Sequence, residues 1–334
     1  MHLAATMNRF WPSWLTGLFV AVLIALAATF VAEHYGGPQL LYALFFGMAL
    51  NFLAHDGRTK PGIQFAARHV LRLGVALLGA RIAMDQIVAI GFLPMLWVAI
   101  GVIVTIATGL LLSRVLGTST SDGLLTGGAV AICGASAALA IASVLPKSEH
   151  LQRYTIITVV GVTALSTIAM VLYPLFAGLL GMSGNIAGLF IGATIHDVAQ
   201  VVGAGYLMST ETGDTAIVVK LFRVALLVPV VLSLSILFRG KATPGETKRP
   251  PLVPAFLIAF CLLVLVNSVG VLPAPLVQTV GEFSRWCLVV AIAALGMQTS
   301  LQDLASLGWA PIALLVGETV VLAVFTLAYM QGIT

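Results

Sequence analysis

The sequence predicts an all-α polytopic membrane protein of about 9–11 transmembrane helices. Three observations carry this. Hydrophobic residues make up 60% of the 334 positions and charged residues only 8%, with a mean hydropathy of +1.09. A soluble domain is about 25% charged, and a fold of this size cannot cover its surface with so few charges. The apolar residues fall into runs long enough to cross a bilayer, about 20 residues each. The connections are short, so no stretch is left for a soluble domain, and residues 1–334 read as one transmembrane domain.

Eleven segments qualify as candidate spans: 14–32, 38–54, 70–88, 92–112, 122–145, 154–180, 184–207, 215–238, 252–270, 283–301 and 305–330. The first follows Arg9 and resembles a signal peptide, but it exceeds a usual h-region and lacks a convincing cleavage site. We read it as a retained span. The net charge is +4, but the basic residues sit in short loop clusters, which excludes a nucleic-acid-binding stripe. Arg58, Lys60, Arg68 and Arg72 mark one cytoplasmic loop, and Arg239, Lys241, Lys248 and Arg249 a second. The acidic loop of Glu211 and Asp214 then faces outward, with the N-terminus inside.

The Lys147–Arg153 cluster breaks this pattern if 122–145 crosses once. Segments 122–145 and 184–207 are both rich in glycine (Gly127, Gly128, Gly134; Gly188, Gly192, Gly203, Gly205) and are poor continuous helices. Broken or re-entrant elements resolve the conflict, with two plain tilted spans as the alternative. Irregular backbone at that depth is tolerated only around a protein-lined cavity.

An internal repeat reinforces this organisation. With a shift of 217 residues, 75–94 lies on 292–311: Gly79 meets Gly296, Gly91 meets Gly308 and Pro94 meets Pro311. An odd number of crossings separates the copies, about 70–112 and 288–330, so they are expected to be inverted in the membrane. Inverted repeats are a mark of secondary transporters, whose site lies near the midplane at the repeat interface. A weaker echo links GLLTGG (123–128) to GLFIGA (188–193).

The chemistry-bearing residues concentrate in the two glycine-rich segments. His196, Asp197 and Gln200 interrupt an apolar run beside Thr194. Titratable groups at membrane depth are expensive and usually functional. Histidine titrates near neutral pH, and aspartate pairs with it or holds a cation. The bland reading is a polar pair used for helix packing. The counterpart is Cys133, Gly134, Ala135 and Ser136, where small residues let backbone amides approach a ligand. Small-residue helix packing is the bland reading there. Arg81 and Gln298 occupy matched positions in the repeat and are second choices for substrate contact. Glu318 lies mid-helix and reads as a proton or cation site or a helix–helix bond. Lys220 and Arg223 open segment 215–238 and are read as interface residues, with an inward reach as the alternative. The three cysteines are isolated in apolar runs, so neither a metal site nor a disulfide framework is expected. No nucleotide-binding glycine motif is present, and no cofactor is expected.

The stretches LGVALLGARI (73–82), AICGASAALA (131–140) and GATIHDVAQVVGAG (192–205) resemble the YeiH-type family of bacterial inner-membrane proteins, described as sulfate exporters. The resemblance runs from about 15 to 330. It implies kinship with the bile-acid/sodium symporter-like superfamily, in which broken, crossing helices give alternating access.

The sequence reading is therefore a secondary transporter of a small anion, with sulfate export the case the resemblance implies, and not an enzyme. Substrate contact is assigned to Cys133, Gly134, Ala135, Ser136, Thr194, His196 and Gln200. Coupling to a proton or sodium ion is assigned to His196, Asp197 or Glu318. The alternatives are an anion channel and an intramembrane enzyme using His196 and Asp197. The expected partners are the anion, the lipid bilayer and, in a homo-oligomer, further copies of the chain.

Overall fold

The computed structural model describes residues 13–36, 39–82, 84–146, 148–182, 184–238, 254–299 and 308–331. Regular structure among the described residues is helical throughout. In chain order the helices are α1 (Ser13–Tyr35), α2 (Gln39–Ala49), α3 (Lys60–Phe65) and α4 (Leu71–Leu78), with a π turn Ala66–Val70 joining the last two. Then come α5 (Met84–Ile90), α6 (Phe92–Val115), α7 (Thr120–Ala131), α8 (Ala135–Ala142) and α9 (Glu149–Leu179). The rest are α10 (Gly184–Thr194), α11 (Val198–Met208), α12 (Thr210–Ala225), α13 (Leu227–Leu237), α14 (Ala255–Ser268), α15 (Ala274–Gln298) and α16 (Trp309–Gln331). Among the described residues, six stretches are long and apolar enough to cross a membrane: α1, α6, α9, α12 with α13, α15 and α16. Four shorter apolar helices, α2, α10, α11 and α14, accompany them. Many large apolar side chains, Phe19, Phe92, Ile103 and Val320 among them, face outward, as lipid requires.

The chain gathers into two compact units, residues 1–84 with 258–300 and residues 85–257 with 301–334. In the first, small residues bring helix backbones together. A Cβ on Gly17 of α1 would collide with the Thr59 carbonyl, and one on Gly62 of α3 with that of Trp14. Gly47 of α2 and Gly296 of α15 meet in the same way, and the Ser284 hydroxyl of α15 donates to the Gly74 carbonyl of α4 at 2.6 Å. The expected single span 70–88 is instead interrupted after Leu78 by a turn through Gly79–Ile82. Gly79 comes against the Phe260 carbonyl of α14, where any Cβ would lie 2.4 Å from the oxygen. The freed polar groups find partners there: the Met84 N–H donates to Ser268 Oγ at 2.7 Å and Asn267 donates to the Ile82 carbonyl at 3.4 Å.

In the second unit α6 and α16 pack through Trp97. Its ring stacks on Phe325 at 4.5 Å and lies 5.1 Å from Tyr329, and its indole N–H donates to the Phe325 carbonyl. The two glycine-rich segments are both broken, as their composition predicts. The first is α7, a kink at 132–134 and α8; the second is α10, a kink at 195–197 and α11. The GLLTGG and GLFIGA stretches serve the same purpose in each. Gly123 and Gly127 seat α7 on Gly109 and Ile106 of α6, and Gly188 and Gly192 seat α10 on Thr215, Ala216 and Val219 of α12. A Cβ at Gly192 would lie 2.4 Å from the Ala216 carbonyl. Gly192→Val is therefore expected to cost about 3 kcal/mol or more, read as a fall in the melting temperature of the purified protein. An unchanged melting temperature would rule out this packing.

The repeat-related stretches share local features. Gly91 and Gly308, matched by the 217 shift, both have positive φ (87° and 79°), and each directly precedes a long helix, α6 or α16. Lys147, the second cytoplasmic cluster at 239–249 and residues 300–307 of the second copy lie outside the described residues.

Candidate functional site around two broken helices

A helix that stops inside a protein leaves its last carbonyl groups without partners and carries a partial negative charge there. Both α7 and α10 stop in this way, and one helix answers both ends. Lys220 and Arg223, one turn apart on α12, are buried to 0% and 1% exposure. The Lys220 Nζ donates to the Ile132 carbonyl at 2.6 Å and to the Ile195 carbonyl at 2.8 Å. The Arg223 guanidinium donates to Val130 and Ala131 at the end of α7, and to Gly192, Ala193 and Ile195 at the end of α10, over 2.5–3.2 Å. The planar fork with its five N–H groups matches this set of acceptors as no other side chain would. The interface position favoured for these two residues from sequence is therefore replaced by a central one. The expected span began at 215, whereas α12 begins at Thr210, capped by Ser209, whose hydroxyl accepts from the Thr212 N–H at 3.0 Å. The earlier start moves both cations inward by more than a turn.

The second half of each broken element starts at the same place. The first N–H groups of α8 and α11 lie outside the helical ladder and present a partial positive charge. Gly134 precedes α8 with φ +62°, ψ −123°, a conformation suited to glycine. A Cβ there would lie 3.0 Å from Val162 and 3.8 Å from the His196 carbonyl, which places the two kinks side by side. Gly134→Ala is expected to cost about 1–2 kcal/mol from backbone strain alone, visible as a lower melting temperature. A variant as stable as the parent would exclude this backbone.

The residues expected to contact substrate divide into those gathered here and those placed elsewhere. Cys133 and Gly134 form the first kink, both buried; Ala135 and Ser136 open α8, with Ser136 exposed. Thr194 ends α10, its hydroxyl donating back to the Phe190 carbonyl at 2.6 Å. Asp197 occupies the position before the first turn of α11, and its N–H donates to Ser166 of α9 at 3.1 Å. Gln200 is buried and donates to Thr167 at 3.4 Å, while its carbonyl oxygen has no partner among the described residues. His196 is fully buried and its Nε2 lies 3.0 Å from the Thr319 hydroxyl of α16. That hydroxyl also donates to the Leu315 carbonyl at 2.6 Å. His196 Nδ1 makes no hydrogen bond among the described residues. Glu318 lies beside Thr319 on α16 and faces α7, with Oε1 2.7 Å from the Thr126 hydroxyl. Arg81 and Gln298 belong to the other unit. The Arg81 stem covers Gly281, and Gln298 donates to the Ile63 carbonyl at 3.2 Å.

Fold and site define a helical membrane protein whose centre is a pair of broken helices clamped by two buried cations. The chain belongs to the family described as conserved hypothetical protein 698, whose profile matches residues 16–315. It is 52% identical over 322 residues to the UPF0324 membrane protein CT0845 of Chlorobaculum tepidum, covering 96% of this chain and 89% of the relative. It is 53% identical over 312 residues to the UPF0324 membrane protein TauZ of Paracoccus denitrificans, covering 92% of each. A Rhizobium meliloti UPF0324 membrane protein, RB0971, is 49% identical over 316 residues, covering 94% of this chain and 92% of the relative. These relatives are bacterial membrane proteins.

Proposed function

We propose that the protein is a secondary active transporter of a small anion that exposes the paired kinks alternately to the two sides of the bacterial inner membrane, with its N-terminus in the cytoplasm. The observation that carries this reading is the clamp of Lys220 and Arg223 on both broken helices. Discontinuous helices at membrane depth are the usual substrate platform of such transporters. Charge arithmetic selects the ligand. Each helix end is equivalent to roughly half a charge, so the two C-terminal ends of α7 and α10 offset the two N-terminal ends of α8 and α11. What remains, with Lys220 and Arg223 both charged in this reading, is two cations against one carboxylate, Asp197, and the balance favours an anion. Free N–H groups of α8 and α11, with Ser136, supply donors of the kind that bind oxyanions. The YeiH-type resemblance makes sulfate export the specific candidate, and the 217-residue repeat implies two copies related by a rotation of about 180° in the membrane plane.

The test is uptake of labelled sulfate, thiosulfate, phosphate and nitrate into proteoliposomes of the full chain. Saturable uptake of at least one anion, recovered chemically unchanged and lost in Lys220→Met, is expected. No uptake above the Lys220→Met background would overturn the reading, and a chemically altered anion would point to an enzyme.

A further inference from the structure

A second buried polar cluster lies between α7, α9 and α16, away from the kinks. Asp122 stands in the first turn of α7, where its carboxylate accepts from the Ser119 N–H at 3.0 Å and closes a capping box. Both of its carboxylate oxygens lie 3.0 Å from His150 Nε2 on the first turn of α9. His150 is 61% exposed and Asp122 only 1%, so the pair leads from the surface to the interior. One turn further along α7 comes Thr126, and one turn further along α9 comes Tyr154, whose hydroxyl is buried with no partner.

Glu318 of α16 faces this cluster. It is fully buried, its Oε2 has no hydrogen-bond partner, and it makes no ion pair among the described residues. Gly109 of α6 leaves space for it, since a Cβ there would lie 2.6 Å from Oε1. The hydrogen-bond inventory is compatible with a protonated Glu318. The Thr126 hydroxyl has one hydrogen and two acceptors within reach, the Asp122 carbonyl at 2.9 Å and Glu318 Oε1 at 2.7 Å. A carboxylic acid that donates from Oε1 to Thr126 satisfies both contacts, because the threonine then gives its hydrogen to the Asp122 carbonyl. An unpaired carboxylate in this position would bear the full penalty of a buried charge.

We propose that Glu318 is a proton-binding carboxyl, reached from the surface through His150 and Asp122, and that the proton is the ion coupled to movement of the anion. This deepens the reading given above, since it names the coupling ion. The step is a proton transfer only: a solvent proton binds His150, the Nε2 proton passes to the Asp122 carboxylate, and from there a proton reaches Glu318, which meets α7 one turn away at Thr126. On the other side of α16, the neighbouring Thr319 touches His196. The titratable groups on the elements packed around Glu318 are Asp122 on α7 and Glu149, His150, Arg153, Tyr154 and Tyr173 on α9, with His196 in the kink after α10; Glu149, Arg153 and, at the far end of α6, Arg114 are exposed.

The experiment is infrared spectroscopy of the full chain in phosphatidylethanolamine–phosphatidylglycerol vesicles, in water and in deuterium oxide, across the neutral pH range. The parent is expected to show the C=O stretch of a protonated carboxyl, and Glu318→Gln to lose it. Thr126→Val tests the assignment in a second way: the band should persist and move to higher frequency as its hydrogen bond is lost. Deuterium exchange of the band should slow several-fold in Asp122→Asn. A parent without the band, a band retained in Glu318→Gln, a band unmoved in Thr126→Val, or unchanged exchange in Asp122→Asn would each overturn the proposal. The readout is proton occupancy and needs no transported anion, so it fails or succeeds independently of the uptake assay.

Discussion

Arg223→Leu is expected to destabilise the protein by about 3–5 kcal/mol, the usual cost of removing one side of a buried charged network. The guanidinium bonds five carbonyl oxygens, those of Val130, Ala131, Gly192, Ala193 and Ile195. Each buried acceptor left without a donor costs about 1–3 kcal/mol. Part of that loss is offset because the arginine no longer has to be desolvated. The measurement is the melting temperature and the monodisperse yield of the variant in detergent. Arg223→Lys keeps the charge but not the fork, and should fall between parent and leucine variant. A leucine variant that melts with the parent would exclude the clamp.

Lys220→Met separates charge from packing. Methionine fills most of the lysine stem, and Arg223 still reaches the Ala131 and Ile195 carbonyls, so the fold is expected to survive at a cost of about 1–3 kcal/mol for the Ile132 carbonyl left without a donor. The excess positive charge is expected not to. A unit charge 4–8 Å from a bound anion is worth about 2–4 kcal/mol at an effective dielectric constant near 20. The dissociation constant of the transported anion should therefore rise roughly 30-fold or more. Direct binding of the labelled anion to the purified variant gives this number. An unchanged constant would remove Lys220 from recognition and leave it a structural clamp.

The fold class was legible because the feature that sets it, a scarcity of charge over long apolar runs, is local. The two kinks were legible for a similar reason: glycine is a poor helix former wherever it stands. Gly91 and Gly308, paired by the 217-residue shift, share a positive φ. The clamp was not legible. A lysine and an arginine in an apolar run look alike whether they reach to the membrane surface or to a buried carbonyl. What separates the cases is the helix start, and the polar residues Thr210, Glu211, Thr212 and Asp214 disguised it as loop. Three-residue spacing within a 28-residue apolar stretch was the available signal. The Asp122, His150, Thr126 and Glu318 cluster was hidden for another reason. Its members come from three helices, the last of them 192 residues beyond Thr126 in the chain, and only the packing of those helices joins them.

The clamp also bears on how the chain is assembled. A lysine and an arginine placed centrally in a helix each oppose insertion from the translocon by about 2.5–3.5 kcal/mol. The carbonyls that receive them, at 130–132 and 192–195, all precede residue 220 in the chain. During synthesis both acceptor sets have left the ribosome before the cationic helix emerges. That helix is therefore expected to enter the bilayer in company with the earlier broken pair, and a nascent chain lacking either kink should stall with residues 210–237 outside the lipid.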